Sequence, residues 1–246
     1  MNNYYIIFLL SGLLNLLFLL LISWLIAKKG GIYYLIKKFS VIVNPKISDF
    51  LVAEQTYYLH KTSLFQTLPK SNSEIVFLGD SITDECEWAE LLGNPNIKNR
   101  GISGDTTNGI LNRLDELLKS KPKLIFLMVG INDFFHTNKS VDQIFEQYKL
   151  IVITVRNQSP NTKLFIQSVL PINKQYNIDL TPQVIIKFNQ HLKELASEFS
   201  LPYIDLFSQL SDSQNQLDTR YTLDGVHLNG QAYSVWKQVI EKYIVE

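Results

Sequence analysis

The sequence has a single cysteine, Cys86, among its 246 residues. A lone cysteine cannot form an intrachain disulfide, and it cannot build a cysteine-based zinc or iron–sulfur site. The chain also has no net charge, because 23 basic side chains balance 23 acidic ones. A strongly basic nucleic-acid-binding protein is therefore excluded, and no nucleic acid is expected as a partner. The 12% aromatic content argues against a disordered chain, so the fold must rest on its hydrophobic core.

Acidic residues are absent from the first 48 positions, and the first one is Asp49. The same stretch contains five lysines: Lys28, Lys29, Lys37, Lys38 and Lys46. The rest of the chain therefore has 18 basic and 23 acidic side chains. The zero net charge therefore conceals a basic N-terminal segment followed by an acidic body.

A long uncharged apolar run occupies residues 4–27. At about 1.5 Å per residue, such a helix exceeds the roughly 30 Å hydrocarbon core of a bilayer. The run predicts a transmembrane anchor, because a cleaved signal peptide would have a charged start, a shorter apolar region and an A-x-A-like site. The lysines at 28–43 form a basic juxtamembrane segment, and the positive-inside rule places the following domain in the cytoplasm. Residues 30–43 could also lie among lipid headgroups and bind anionic membrane lipid.

The remaining residues, 44–246, are predicted to form one domain. Residues 44–70 have helical periodicity and are expected to form a lead-in helix. After them, apolar strand-like runs alternate with helical patterns, and one helix begins with a capping box formed by Ser140 and Gln143. Strands that alternate with helices predict a parallel sheet covered on both faces. The strands are expected within 74–80, 97–105, 123–133, 162–171 and 201–207, and the helices within 106–120, 140–157, 181–199 and 230–244.

Polar motifs follow the predicted strands, at the sheet edge where ligands bind in open parallel sheets. They are Gly79-Asp80-Ser81-Ile82-Thr83, Asn99-Arg100-Gly101-Ile102-Ser103-Gly104-Asp105 and Gly130-Ile131-Asn132-Asp133, with Asp224-Gly225-Val226-His227 before the last helix.

These motifs supply a candidate for each role in acyl transfer to water. Ser81 stands at a strand-to-helix turn as the nucleophile, and His227 is the candidate base because its pKa suits neutral pH. Asp224, three residues earlier, can orient the imidazole. The backbone N–H groups of Ser81 and Gly104 and the side-chain amide of Asn132 are the candidate oxyanion donors.

The four blocks, read in order, resemble those of the SGNH hydrolases, also called GDSL esterases and lipases, from about Glu74 to the end. Ile82 stands where the family name has Leu, which preserves the apolar character. The wording of the blocks is most similar to the branches of platelet-activating-factor acetylhydrolases and bacterial carbohydrate or lipid acylesterases. The resemblance implies a three-layer α/β/α sandwich with a parallel flavodoxin-like sheet, no metal requirement and no cofactor.

Other polar and aromatic residues near the motifs have two possible roles. His136 could contact substrate or remain solvated, and Trp88, Phe134 and Phe135 could form an acyl or sugar platform or pack in the core. The aspartates beside the candidate catalytic residues are expected to hold loops and helix starts: Asp80, Asp105 and Asp133.

We therefore expect a membrane-anchored serine ester hydrolase that removes a short acyl group, namely acetyl, from a lipid or carbohydrate. One alternative is a metal-dependent phosphoesterase, in which aspartates and an asparagine bind two metal ions. The histidine motifs of such enzymes, Asp-x-His and Gly-Asn-His, are absent from the sequence. The other alternative is a non-catalytic, membrane-tethered binding domain.

Overall fold

The computed structural model describes residues 15, 16, 18, 24, 45–176, 178 and 180–244. The predicted anchor at 4–27 lies outside the described residues except at those first four positions, and the basic segment at 28–43 lies entirely outside them. In the part of the chain that the structure describes, no helix has both the length and the apolar character needed to cross a membrane. The chain divides into two compact units, 1–56 and 57–246, and the second contains the sheet and all four motif blocks.

Strands and helices alternate through the second unit, as the sequence pattern predicted. The strands of the described residues are β1 (Ile75–Gly79), β2 (Ile97–Gly101), β3 (Leu124–Met128), β4 (Lys163–Gln167) and β5 (Tyr203–Ile204). The helices are α1 (Pro45–Thr67), α2 (Ser81–Asp84), α3 (Trp88–Leu91), α4 (Thr107–Leu118), α5 (Ile131–His136), α6 (Val141–Gln158), α7 (Pro182–Glu198), α8 (Phe207–Leu210) and α9 (Gly230–Ile240), with short 3-10 helices at Lys174–Tyr176 and Glu241–Tyr243. The capping box of Ser140 and Gln143 is present at the start of α6.

The strands form one parallel sheet in the order β2-β1-β3-β4-β5. Every residue of β1 and β3 is buried, because helices cover both faces of these central strands. This strand order is that of flavodoxin-like folds, in which the ligand site lies beyond the carboxyl ends of the strands beside β1. The predicted parallel, flavodoxin-like α/β architecture is therefore confirmed.

One face of the sheet is covered by α2, α3 and α9. Phe77, Phe126 and Phe165 lie side by side on β1, β3 and β4, and their rings stack at centroid distances of 4.9 and 4.6 Å. Trp88 of α3 stacks on Phe77 at 4.1 Å, and Trp236 of α9 contacts the edge of Trp88 at 4.8 Å. These buried rings join the helix layer to the sheet.

The other face is covered by α4, α6 and α7, which contact one another in that order. Right-handed crossovers between parallel strands place these helices opposite α3. Phe188 of α7 meets Tyr148 of α6 edge-on at 6.1 Å, and both side chains are fully buried. The two helix layers and the sheet between them give the three-layer sandwich.

Strand β5 is shorter than the segment 201–207 predicted for it. The chain leaves the sheet after Ile204, because the N–H groups of Leu206 and Phe207 donate to the Ser168 hydroxyl and α8 begins. Hydrogen bonds from the backbone to a side chain compete with strand pairing, and the apolar run at 201–207 gives no sign of the bonds to Ser168.

Candidate active site

The turn between β1 and α2 presents Ser81 at the carboxyl end of the sheet. Asp80 caps α2, because its Oδ1 accepts the N–H of Ile82 at 3.1 Å. Gly79 permits the tight turn, since a Cβ there would lie 2.2 Å from Thr83 Oγ1 and 2.4 Å from a carbonyl oxygen of β3. Ser81 is consequently the first residue of α2, and its backbone N–H points from a helix N-terminus, where negative charge is favoured.

Ser81, His227 and Asp224 form a hydrogen-bonded chain, although 146 residues separate the serine from the histidine. Ser81 Oγ lies 3.0 Å from His227 Nε2, and His227 Nδ1 lies 2.6 Å from Asp224 Oδ2. An ionised carboxylate can only accept hydrogen bonds, so Nδ1 donates to Asp224 and Nε2 is left to accept the serine hydroxyl. This is the geometry required of a nucleophile, a base and an orienting group.

Local backbone bonds hold Asp224 in place within its loop. Its Oδ1 accepts the N–H groups of Val226 at 2.9 Å and His227 at 2.8 Å. Burial alone would raise the pKa of this carboxyl, but the hydrogen bonds from the His227 ring and the two N–H groups outweigh it and lower the pKa to about 2. Asp224 is therefore ionised near neutral pH.

The candidate oxyanion donors lie on three elements that follow β1, β2 and β3. Asn132 is buried in the first turn of α5, and its Nδ2 donates one hydrogen bond to the carbonyl of Asp105 at 2.9 Å. The amide retains a second hydrogen for a substrate. Gly104 has a φ of +79°, a conformation that glycine adopts at little cost. The N–H groups of Gly104 and Ser81 donate to no other described residue, so both remain free for an oxyanion.

Buried carboxylates brace the motif loops, in agreement with the role expected for them. Asp105 accepts from Arg113 at 2.8 Å, and the same guanidinium donates to the carbonyl of Gly79 at 3.1 Å. Asp133 accepts from the N–H and hydroxyl of Thr107 at 2.8 and 2.7 Å. These bonds tie the loops after β2 and β3 to the turn that carries the nucleophile.

Burial changes the acidity of these carboxyls. It raises the pKa of Asp80 to about 7 and that of Asp105 to about 6, although the Arg113 charge lowers the latter in part. The pKa of Asp133 is raised as well, again chiefly by burial.

Two acidic residues of the site were missed by sequence reasoning. Asp84, at the end of α2, accepts from Tyr57 and Lys61 of α1 at 2.6 and 2.7 Å, and from the N–H and hydroxyl of Ser103 at 3.2 Å. Its partners are distant in sequence, so no local pattern indicates them. Glu85 lies with its Oε1 3.9 Å from His227 Nε2. Its i, i+4 spacing from Ser81 could have indicated this position, because such residues share a helix face.

The three candidate substrate contacts, His136, Phe134 and Trp88, differ in how far they are exposed to solvent. His136 is exposed at the last residue of α5, and Phe134 is half-buried against the edge of Phe188, with ring centroids 5.4 Å apart. Of the two roles left open for Trp88, the structure contradicts the substrate platform and shows core packing, because this ring is 1% exposed and packs between the sheet and α9. Its indole N–H donates to the carbonyl of Thr83, which further fixes it in the core.

An open groove of about 300 Å³ adjoins the histidine. Leu223 lies on its rim and is 86% exposed. The other lining residues are Glu85, Asp224, His227, Leu228 and Asn229. Among the described residues, no three His, Cys, Asp or Glu side chains form a group that could hold a metal ion.

The chain is similar in sequence to known proteins. Residues 77–235 match the model of the GDSL-like lipase/acylhydrolase family. The platelet-activating factor acetylhydrolase IB subunit alpha1 of Pongo abelii is 33% identical over 128 residues, which cover 50% of this chain and 52% of the relative. The chain thus spans about half the length of the first curated relatives it matches.

Solved structures extend the likeness over more of the chain. A Streptococcus pneumonia protein assigned as a platelet activating factor has a TM-score of 0.72 and 28% identity, and the match covers 83% of this chain and 99% of that one. A Bacteroides fragilis protein assigned as an acylhydrolase has a TM-score of 0.66 and 26% identity, over 75% of this chain and 93% of that one.

Proposed function

We propose, given that the chain belongs to the GDSL-like lipase/acylhydrolase family, that it hydrolyses carboxylic esters with Ser81 as the nucleophile. One observation carries the proposal: the hydrogen-bonded chain from Ser81 Oγ through the His227 ring to Asp224, with separations of 3.0 and 2.6 Å. All three residues lie at the end of the sheet where the fold positions its ligands.

In the proposed reaction, Ser81 Oγ attacks the ester carbonyl while His227 Nε2 takes the hydroxyl proton. Asp224 stays ionised and stabilises the imidazolium that forms. The N–H groups of Ser81 and Gly104 and the amide of Asn132 stabilise the oxyanion. The intermediate then expels the alcohol, which takes the proton from His227. Water, activated by the same nitrogen, attacks the acyl-serine, releases the carboxylic acid and restores the hydroxyl.

We assign the acyl group as short, namely acetyl, and the substrate as an acylated lipid or carbohydrate. Support for acetyl comes from the relatives, whose names describe acetylhydrolases. No cofactor enters the proposed reaction, because the charges that develop in each step have partners among this chain's own groups.

The test is hydrolysis of p-nitrophenyl acetate by the full chain and by Ser81→Ala. The variant should lower kcat/KM by at least about 10³-fold, because the covalent step is removed. Ser73→Ala, an exposed serine eight positions earlier, is the matched control and should hydrolyse the ester like the wild type.

Two further outcomes of this assay separate the alternatives. Loss of activity on adding EDTA, with Ser81→Ala still active, would favour the metal-dependent phosphoesterase. A wild-type chain that binds acylated compounds but hydrolyses none of a series of esters would favour the non-catalytic binding domain.

We also propose that residues 4–27 anchor the protein in a membrane, with the enzyme domain in the cytoplasm. The support is the uncharged run of 24 residues and the lysines that follow it. A C-terminal tag should resist protease in intact cells and be cleaved after permeabilisation. Cleavage in intact cells would reverse the orientation, and release of the protein from membranes by salt or carbonate would contradict the anchor.

A further inference from the structure

Glu85 lies one helical turn after the candidate nucleophile. It follows α2 directly, and its N–H donates to the carbonyl of Ser81 at 3.0 Å. Residues four apart in a helix have neighbouring side chains, so the backbone itself directs Glu85 toward the same side as Ser81. The backbone therefore already places the Glu85 side chain on the same face as the nucleophile.

The carboxylate also lies close to the group that must serve the leaving alcohol. Glu85 Oε1 is 3.9 Å from His227 Nε2. In the proposed reaction Nε2 gives its proton to the leaving oxygen, which must approach it to about 3 Å. The leaving oxygen is then no more than roughly 7 Å from the carboxylate, so groups two or three bonds further along the alcohol can contact Glu85 directly.

The surroundings leave this carboxylate available to a substrate. Its side chain is 45% exposed, and it accepts no hydrogen bond from another described residue. The groove of about 300 Å³ opens beside it, and none of the described residues that line this groove is Lys or Arg. The other lining carboxylate, Asp224, already accepts from the histidine ring and two backbone N–H groups. Lys61 lies 2.7 Å from the carboxylate of the adjacent residue, Asp84, and is paired with it.

We propose that Glu85 selects the leaving alcohol of the substrate. It favours alcohols that carry a positive charge or a hydroxyl donor within a few bonds of the ester oxygen, and it disfavours those with a phosphate or carboxylate there. The inference rests on the proposed ester hydrolysis and narrows it. Among acetylated substrates, hydroxyl-rich or cationic alcohols are preferred over a phospholipid whose phosphate adjoins the ester.

The experiment compares four acetate esters that share a two-carbon spacing: acetylcholine, 2-hydroxyethyl acetate, propyl acetate and 2-acetoxyethyl phosphate. The full-length wild type, Glu85→Gln, Glu85→Asp and Glu87→Gln are assayed for kcat/KM at low ionic strength. Glu87 is the matched control, because it is exposed, lies two residues away and loses the same charge. Propyl acetate normalises any general effect of Glu85 on His227, which would change all four rates together.

We expect the wild type to hydrolyse the cationic and hydroxyl esters best and the phosphate ester worst. An exposed ion pair or like-charge contact changes an equilibrium by up to about fivefold. Glu85→Gln removes both the attraction and the repulsion, so it should lower the ratio of acetylcholine to phosphate-ester hydrolysis severalfold, by up to about 25-fold, while Glu85→Asp retains the wild-type order. In Glu85→Gln, kcat/KM for 2-hydroxyethyl acetate should fall less than kcat/KM for acetylcholine. In Glu87→Gln, the ratios of kcat/KM between the esters should stay within twofold of the wild type.

An unchanged ratio in Glu85→Gln, with propyl acetate still hydrolysed and thermal unfolding unaltered, would overturn this role for Glu85 and leave the esterase proposal intact. An equal change in Glu87→Gln would also overturn it, because the effect would then be one of net charge. Failure of the wild type to hydrolyse any of the four esters would instead contradict the proposed function.

Discussion

Asp80 provides a quantitative test of the electrostatics beneath the nucleophile. Its side chain is 1% exposed, and burial is the main reason that its pKa rises from 3.8 to about 7. The N–H of Ile82 lowers the pKa in part, and the neighbouring carboxyls of Asp105 and Asp133 raise it further. The perturbation is Asp80→Asn, which removes the charge while the amide oxygen still accepts from Ile82.

The magnitude follows from linkage between proton binding and folding. The pKa of Asp80 is higher by about three in the folded state, and at 1.36 kcal/mol for each pKa unit this lowers the free energy of unfolding by about 4 kcal/mol once the carboxyl is ionised. Because the folded pKa lies above the unfolded one, the folded chain binds more protons between pH 4 and 7. Stability is therefore lost as the pH rises through this interval. This loss in the free energy of unfolding is absent below pH 4 and complete above pH 7.

The assay is urea unfolding of the full chain and of Asp80→Asn at intervals from pH 4 to 8. The variant should match the wild type near pH 4 and exceed it by up to about 4 kcal/mol at pH 8. Glu87→Gln, which loses an exposed charge, should show no such pH-dependent gain. A difference between wild type and Asp80→Asn that stays constant across the range would refute the reasoning.

Two further predictions concern residues that brace the site. Lys61→Ala removes the bond of 2.7 Å to Asp84 and should lower kcat several-fold with KM within twofold, because Asp84 also holds Ser103 beside the oxyanion loop. Lys61→Arg should recover most of the loss, whereas wild-type kinetics in Lys61→Ala would show that this bond does not position the site. Arg113→Met leaves Asp105, whose side chain is 1% exposed, without its cation and should cost about 1.5–3 kcal/mol at pH 7 by urea unfolding, because the charged hydrogen bond is lost and the carboxyl takes up a proton. A cost below about 1 kcal/mol would contradict that prediction, and Asp105→Asn added to the variant should restore part of the stability.

Much of the fold could be predicted because its signals are local. The buried strands β1 and β3 are short apolar runs bounded by turn residues, and α6 begins with a capping box within four positions. Strand β5 was overestimated because its end depends on the Ser168 hydroxyl, which β4 brings to it from more than 30 positions away. Local patterns contain no information on such a bond.

Some features of the candidate site could be predicted from the sequence, and others could not. Asp224 and His227 share one loop before α9, and the other three motifs each follow a strand, so the pattern of motifs and parallel strands predicts one site at this edge of the sheet, where Ser81 and His227 meet. The Asp84 contacts could not be predicted, because they depend on how α1 packs against α2 and the loop after β2. The fate of Trp88 was also undetermined in the sequence, since a tryptophan seven positions after a nucleophile suits either a core or a substrate platform.

Covalent labelling of the full chain with a fluorophosphonate tests the central claim most directly. After digestion and mass spectrometry, the adduct should lie on Ser81, and Ser81→Ala should take no label. His227→Ala should react at least about 100-fold more slowly, because the general base that activates the hydroxyl has been removed. Adduct on another residue, or an undiminished labelling rate in His227→Ala, would contradict the assignment of Ser81 and His227 as nucleophile and base.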